Sequence, residues 1–149
     1  FMNILIMGQS EAAEYLPINS TYAIRILYSF QQSDPGLRFK PLQSSSLYRV
    51  VHEYLFDDTF PEMAKSKEVL FNLDLAEKML RDFVAGRAGC EDLLVHCSLG
   101  RNRSPAVAIA FNEIFSLGEN GFALSRLYNR SNWFVYNTLI EKAKRLGIK

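Results

Sequence analysis

The stretch from Leu93 to Ala110, LLVHCSLGRNRSPAVAIA, constrains what this chain can fold into more than any other. Leu93, Leu94 and Val95 form a short apolar run of the kind buried by a sheet covered on both faces. His96-Cys97 ends that run, Gly100 follows shortly after, and Arg103-Ser104-Pro105 opens an apolar segment longer than one helical turn. Ser104 is a good N-cap residue, and Pro105 suits the first helical position, whose N–H has no partner inside the helix. The pattern predicts a strand, a tight loop and a helix. N–H groups of such a loop converge on the positive end of the helix, which makes a ready site for an anion. Cys97, at the start of the loop, sits in the same field.

The flanking sequence repeats this alternation. Asn3 to Gly8 reads as a short strand and Gln9 to Leu16 as a brief helix stopped by Pro17. Thr21 to Leu27 (TYAIRIL) and Leu47 to Phe56 have strand composition, and between them Ser29 to Ser46 is rich in turn residues, which predicts an exposed loop. A helix beginning between Ser66 and Asn72 places Leu75, Ala76, Met79, Leu80, Phe83 and Val84 on one apolar face. The Pro105 helix ends near Gly118, a short helix covers Phe122 to Tyr128, and a last one runs from Asn132 to Leu146 with Val135, Leu139, Ile140, Ala143 and Leu146 inward. No repeat and no linker interrupts the order. The fold class is therefore α/β: one domain over residues 1–149, with a central, mostly parallel sheet of four or five strands flanked by helices. Open sheets of this class place their ligands at the carboxyl ends of the strands, where Asp57-Asp58-Thr59-Phe60-Pro61 leaves one strand and the Cys97 loop leaves another.

Composition excludes several classes of function. Apolar residues make up 48% of the 149, with eleven Phe and seven Tyr, which favours a packed core over disorder. A net charge of +1 offers no long-range attraction to nucleic acid or to an anionic membrane. No apolar run approaches the roughly 18 residues of a membrane span, and the N-terminal MNILIMG is too short for a signal peptide. Two cysteines, Cys90 and Cys97, close in sequence, do not make the framework of a secreted fold. A soluble, cytoplasmic protein that keeps Cys97 as a thiol is expected. Two cysteines and two histidines at these spacings make no metal site, and no cofactor is implied.

The run His96-Cys97-Ser98-Leu99-Gly100-Arg101-Asn102-Arg103-Ser104 matches H-C-x5-R-S, with a glycine three residues after the cysteine. In this the chain resembles the cysteine-dependent protein tyrosine phosphatase superfamily, and its compact dual-specificity branch most closely. The resemblance extends to Phe56-Asp57-Asp58, to the helix that follows, and to the tail ALSRLYNRSNWFVYNTL, but not to the N-terminal third with its Ser29 to Ser46 loop. It implies a phosphate-binding loop between a strand and a helix, and a phosphomonoesterase acting through a phosphocysteine. The implied substrate is a phosphorylated protein or peptide, on tyrosine and, for the dual-specificity branch, on serine and threonine. A monomer is expected, with no membrane or nucleic acid among its partners.

Each role has a physical basis. A thiol is mostly protonated at neutral pH, whereas the nucleophile is the thiolate, which the loop N–H groups, the helix end and Arg103 all favour at Cys97. Arg103 can hold two phosphate oxygens at once. The backbones of Ser98, Leu99, Gly100, Arg101, Asn102 and Arg103 supply donors for the equatorial oxygens of a transferring phosphoryl group. Gly100 provides a dihedral forbidden to other residues, or a close backbone approach. In the family the hydroxyl at Ser104 stabilises the departing thiolate. His96 points to the opposite face of its strand from Cys97 and has a supporting role behind the loop. His52 reads as structural or as a surface residue. The leaving group needs a proton, and the same group then activates water. Asp58 aligns with the family's general acid; Asp57 is the alternate, otherwise bracing the loop.

Other readings stay open at this stage. Arg101 and the Gly-x-Asn-Arg run are compatible with a phosphoinositide or RNA 5′-phosphatase, and the loop alone is compatible with a non-catalytic phosphate-binding domain or a rhodanese-type sulfur carrier. Cys90 reads as structural, the alternative being a disulfide with Cys97. Trp133, Phe134 and Tyr136 read as core or rim aromatics, and Lys142, Lys144, Arg145 and Lys149 as a solvated basic end suited to the negative pole of the last helix.

Overall fold

Every residue of TYAIRIL is buried, which an alternating strand can achieve only if both faces of its sheet are covered. The computed structural model describes residues 1–28 and 40–148 and shows how this is done. Four strands, β1 (Asn3–Gly8), β2 (Thr21–Leu27), β3 (Tyr48–Leu55) and β4 (Asp92–Cys97), form one all-parallel sheet in the order β1-β4-β2-β3. Five helices flank it among the described residues: α1 (Gln9–Glu14), α2 (Leu73–Gly86), α3 (Arg103–Phe115), α4 (Gly121–Leu127) and α5 (Trp133–Leu146).

The period of two sorts the strand residues. Tyr22, Ile24 and Ile26 of β2, with Leu93 and Val95 of β4, pack into the main core with Met79, Leu80 and Phe83 of α2, Phe111 of α3 and Val135 and Leu139 of α5. Their neighbours Ala23 and Leu94 face the other way, into a smaller cluster with Met7 and with Ala12 of α1. Leu42 and Tyr48 pack on that second cluster, and Gln43 donates from Nε2 to the carbonyl of Ala13 at 3.2 Å. Of residues 40–46, predicted as part of an exposed loop, Lys40, Pro41, Gln43, Ser44 and Ser46 are exposed as expected, while Leu42 is tucked against the second face of the sheet; residues 29–39 of that predicted loop lie outside the described residues, as does Lys149.

The apolar faces of the helices follow the predicted spacing, with one exception. Ala76, Met79, Leu80 and Phe83 of α2 are buried, but Val84 is more than half exposed at the edge of the face. α2 begins where Asn72 accepts the N–H of Leu75 in its side chain, and α5 where Asn132 does the same for Val135. Helix α3 is buried on nearly all sides, from Arg103 to Asn112 and again at Ile114, so it forms the centre of the helical layer. On the tail, Trp133 is 40% exposed and meets Tyr136 edge-on, as expected for rim aromatics. At the basic end of α5, Lys142 pairs with Glu77 at 2.9 Å and Arg145 with Glu141 at 3.1 Å, while Lys144 is exposed.

Parallel pairing brings the carboxyl ends of the strands to one edge. In register, Gly8 lies beside Cys97 and Arg25 beside His96, while Tyr28 and Phe56 follow the ends of β2 and β3. Cys90 lies beyond the opposite end of β4, about 16 Å of strand away from Cys97. A disulfide needs Cα atoms within about 7 Å, so the fold rules out a Cys90–Cys97 bridge and leaves Cys90 as a buried structural thiol, as read from the sequence. None of the helices among the described residues is long and apolar enough to cross a membrane.

Candidate active site

The loop between β4 and α3 is held from two directions. At the first residue of α1, the N–H of Gln9 donates to the carbonyl of Ser98 at 3.1 Å. Gly100 has φ +74°, and a Cβ there would stand 2.7 Å from the backbone N of Gly8 and the carbonyl carbon of Met7. Of the two reasons offered for this glycine, the dihedral is observed, while the close approach is to the backbone of β1. At the far end of the loop, the carbonyl of Asn102 accepts the N–H of Asn132, and the Asn102 side chain donates to the carbonyl of Arg130 at 2.7 Å.

Helix α3 starts two residues earlier than predicted. Asn102 occupies the N-cap and makes no side-chain cap, so Ser104 sits in the first turn with Pro105 after it, and neither occupies its expected position. The reason is visible at the thiol. Ser104 Oγ lies 3.2 Å from Cys97 Sγ, and the N–H of Gly100 donates to the same sulfur at 3.3 Å. The serine is used on the cysteine, not on the helix end. Cys97 is 3% exposed, at the start of the loop that leads into α3, with two polar partners at its sulfur.

Arg103, the first residue of α3, is 2% exposed and turned back into the loop. Nη2 donates to Ser98 Oγ at 3.1 Å, Nη1 donates to the carbonyl of Phe56 at 2.7 Å, and the guanidinium stacks on the ring of Tyr28 at 4.7 Å. These contacts fix the fork without needing a lysine-like swing. They also join the loop to the ends of β2 and β3.

The two aspartates after β3 differ in their surroundings. Asp57 is 1% exposed; Oδ2 accepts the N–H of Val69 at 2.7 Å, and its own N–H donates to the carbonyl of Val69 at 2.9 Å. It closes the segment that carries Asp58, the bracing function offered for it above. Asp58 is exposed and lines one small cleft together with Tyr28, Cys97, Ser98, Leu99, Asn102 and Arg103. Leu99 and Arg101 are exposed on the loop.

His96 is on the face away from Cys97, as its strand position requires. It is fully buried, and Nε2 accepts a hydrogen bond from Arg25 Nε at 3.0 Å. Arg25 is itself buried, pairs with Glu53 at 2.9 Å and donates to the carbonyl of Lys40. Burial first, and the Arg25 guanidinium second, hold the imidazole down to a pKa of about 4, well below the usual histidine value. A group whose folded pKa is depressed stabilises the fold above its unfolded pKa near 6.5 and loses that contribution as pH falls toward 4, here about 3 kcal/mol. Thermal unfolding followed from pH 7.5 to 4 should therefore show a fall in stability below pH 6.5 that is shallower by that amount in His96→Gln, whose amide can still accept from Arg25.

Arg25, Tyr28, Phe56 and Asn132 are the site residues that sequence reasoning passed over. Arg25 left a signal, since it is the one charge inside an otherwise apolar strand, and such a charge requires a partner. Tyr28 and Phe56 act through a ring face and a carbonyl, which residue type alone does not announce. Among the described residues, no group of three or more His, Cys, Asp or Glu side chains could hold a metal ion.

No family model matches the chain, and no curated protein matches it. Among solved structures, the crystal structure of Tk-PTP in the active form is similar to it, at 17% sequence identity and a TM-score of 0.47, over 82% of this chain and 80% of that one.

Proposed function

We propose that this chain is a phosphomonoester hydrolase of the protein tyrosine phosphatase type, working through a phosphocysteine. The observation that supports it most is the convergence on one cleft of a buried thiol contacted by Gly100 N–H and Ser104 Oγ, a fixed guanidinium and an exposed carboxyl, at the start of a helix. In the first step the Cys97 thiolate attacks phosphorus, the bond from phosphorus to the ester oxygen breaks, and its electron pair leaves with that oxygen, which takes a proton from Asp58. Arg103 and the loop N–H groups hold the charge on the three equatorial oxygens. In the second step water attacks the phosphocysteine, the Asp58 carboxylate takes the water's proton, and the thiolate departs toward Ser104, giving inorganic phosphate. Nucleophile and guanidinium belong to one loop and the acid to another, both at the carboxyl edge of the parallel sheet.

The substrate class assigned to it is a phosphorylated protein or peptide, with phosphotyrosine first and phosphoserine or phosphothreonine as the dual-specificity extension. Exposed Leu99 at the cleft and Tyr28 behind Arg103 offer apolar contact to an aromatic leaving group. A single-domain, monomeric, cytoplasmic enzyme goes with this reading.

The test is hydrolysis of phenyl phosphate, whose leaving oxygen needs a proton, in the presence of a chelator, with the wild type and Asp58→Asn compared across pH. Loss of the acid should lower kcat by about 100-fold and remove the decline in rate on the alkaline side. An Asp57→Asn variant that reproduced the pH change, with Asp58→Asn leaving it intact, would assign the acid to the other aspartate. A wild type without activity toward any phosphomonoester would sink the proposal.

A further inference from the structure

Asn132 stands where the last helix, the phosphate-sized loop and the acid-bearing segment meet, and it bonds to all three. It is 4% exposed. Oδ1 accepts the N–H of Val135 at 3.1 Å and so caps α5. Because the carbonyl oxygen is committed to that donor, the amide nitrogen must face the other way. There Nδ2 donates to Asp58 Oδ1 at 3.0 Å and to the carbonyl of Thr59 at 3.1 Å. The Asn132 backbone N–H donates to the carbonyl of Asn102 at 2.9 Å, the last residue of the loop before α3. A helix cap alone requires only the first of these contacts.

Resting on the phosphatase reading above, we infer that Asn132 is a positioning residue for the general acid: it holds the Asp58 carboxyl by Oδ1 and the Asp58–Thr59 backbone by the Thr59 carbonyl, in fixed relation to the loop that binds phosphate. The chemistry follows from which oxygen is held. An N–H donor at Oδ1 favours a bare oxygen there, so the acidic proton resides on Oδ2, and that is the oxygen that delivers it to the leaving group. Asp58 is otherwise an exposed side chain on an irregular segment with several rotamers open to it. Holding one of them removes the entropy of finding it from the barrier. Asp57 anchors the same segment from its other side through Val69, so the two polar contacts have separate duties: Asp57 shapes the segment and Asn132 aims the carboxyl.

The experiment must separate aiming from capping. Asn132→Ser keeps a good cap and loses both donors to the acid segment; Asn132→Asp keeps the cap and places a second carboxylate against Asp58. Each is assayed with two substrates, phenyl phosphate, whose leaving oxygen needs a proton, and an aryl phosphate with a strongly acidic phenol, which leaves without one. In Asn132→Ser, kcat should fall about 10-fold for phenyl phosphate and by less than about threefold for the activated ester, with KM and melting temperature little changed. In the Asp58→Asn background the same substitution should cost nothing further on phenyl phosphate, since the group being aimed is gone. Equal losses on both substrates, or a further loss in the Asp58→Asn background, would overturn the assignment and leave Asn132 as a cap. Cys97→Ser is run beside them: hydrolysis that survives in it overturns the phosphatase reading, and this inference with it, whereas Cys97-dependent hydrolysis indifferent to Asn132 overturns the inference alone.

Discussion

Cys97→Ser is expected to eliminate hydrolysis of aryl phosphates, by on the order of 10⁴-fold or more, because it removes the thiol proposed to form the bond to phosphorus, the one thiol among the described residues that line the cleft. The substitution is well chosen for this fold. Serine is nearly isosteric, its oxygen can still accept from Gly100 N–H and face Ser104 Oγ, and the residue is buried in a backbone fixed by β4 on one side and α3 on the other. The melting temperature should therefore move by no more than a few degrees. Binding of a non-hydrolysable phosphonate should persist, since Arg103 and the loop N–H groups are untouched. A hydroxyl is not a weaker version of the nucleophile under these conditions: the loop and the helix end favour an anion, but an alcohol gives up its proton far less readily than a thiol does. Rapid quench of the wild type in detergent and alkali with a ³²P-labelled substrate should in turn trap radioactivity on the protein, stable to alkali and absent in Cys97→Ser. Label that appears on the serine variant, or rates within about tenfold of wild type, would place the chemistry elsewhere.

The extent to which this site is legible in sequence follows from where its contacts originate. Cys97, Arg103 and Ser104 fall within eight consecutive residues because one tight loop must present them all, so the spacing itself carries the geometry. The alternation of apolar strands with amphipathic segments likewise yields the parallel sheet, since nothing else buries runs such as LLV and TYAIRIL on both faces. Helix starts are less well determined. Ser104 is an N-cap residue by type, yet its oxygen is drawn to the thiol, and Asn102 takes the cap position without capping by its side chain. The contacts that fix Arg103 and Asp58 come from far along the chain: Phe56 is 47 residues from Arg103, and Asn132 is 74 from Asp58. One of these partners is a carbonyl, which every residue has, and the other is an asparagine whose helix-capping role hides its second bond. Arg25 lies between these cases. A lone cation in a buried strand is conspicuous, but that it should meet His96 depends on the β2–β4 register, which only the folded sheet supplies.

Arg103→Lys should lower kcat/KM by about 10³-fold while retaining the positive charge, and the size of that loss measures geometry more than electrostatics. Guanidinium offers five N–H donors in a planar fork, which suits two oxygens of one phosphoryl group; an ammonium is a compact point charge on a flexible stem. In this fold the difference is enlarged by where the fork is held. Its two terminal nitrogens reach Phe56 and Ser98, and its plane lies against the Tyr28 ring, so the side chain is organised before any substrate arrives. Lysine cannot make that set of contacts at once. Its loss leaves the Phe56 carbonyl short of a buried partner and an ammonium with fewer acceptors than it needs, at a cost of about 1–3 kcal/mol of stability. The carbonyl in question belongs to the residue just before Asp57-Asp58, so Arg103 also ties the phosphate-sized loop to the start of the acid segment. Two readouts should therefore move together in Arg103→Lys: tighter dependence on a good leaving group, as the acid segment loosens, and a lower melting temperature. Arg103→Met, which keeps the stem but no donor, should be slower still by about tenfold, the part of the effect that charge alone supplies. If lysine supported wild-type kcat/KM, the fork would not be the phosphate clamp, and a general cationic pocket would replace it.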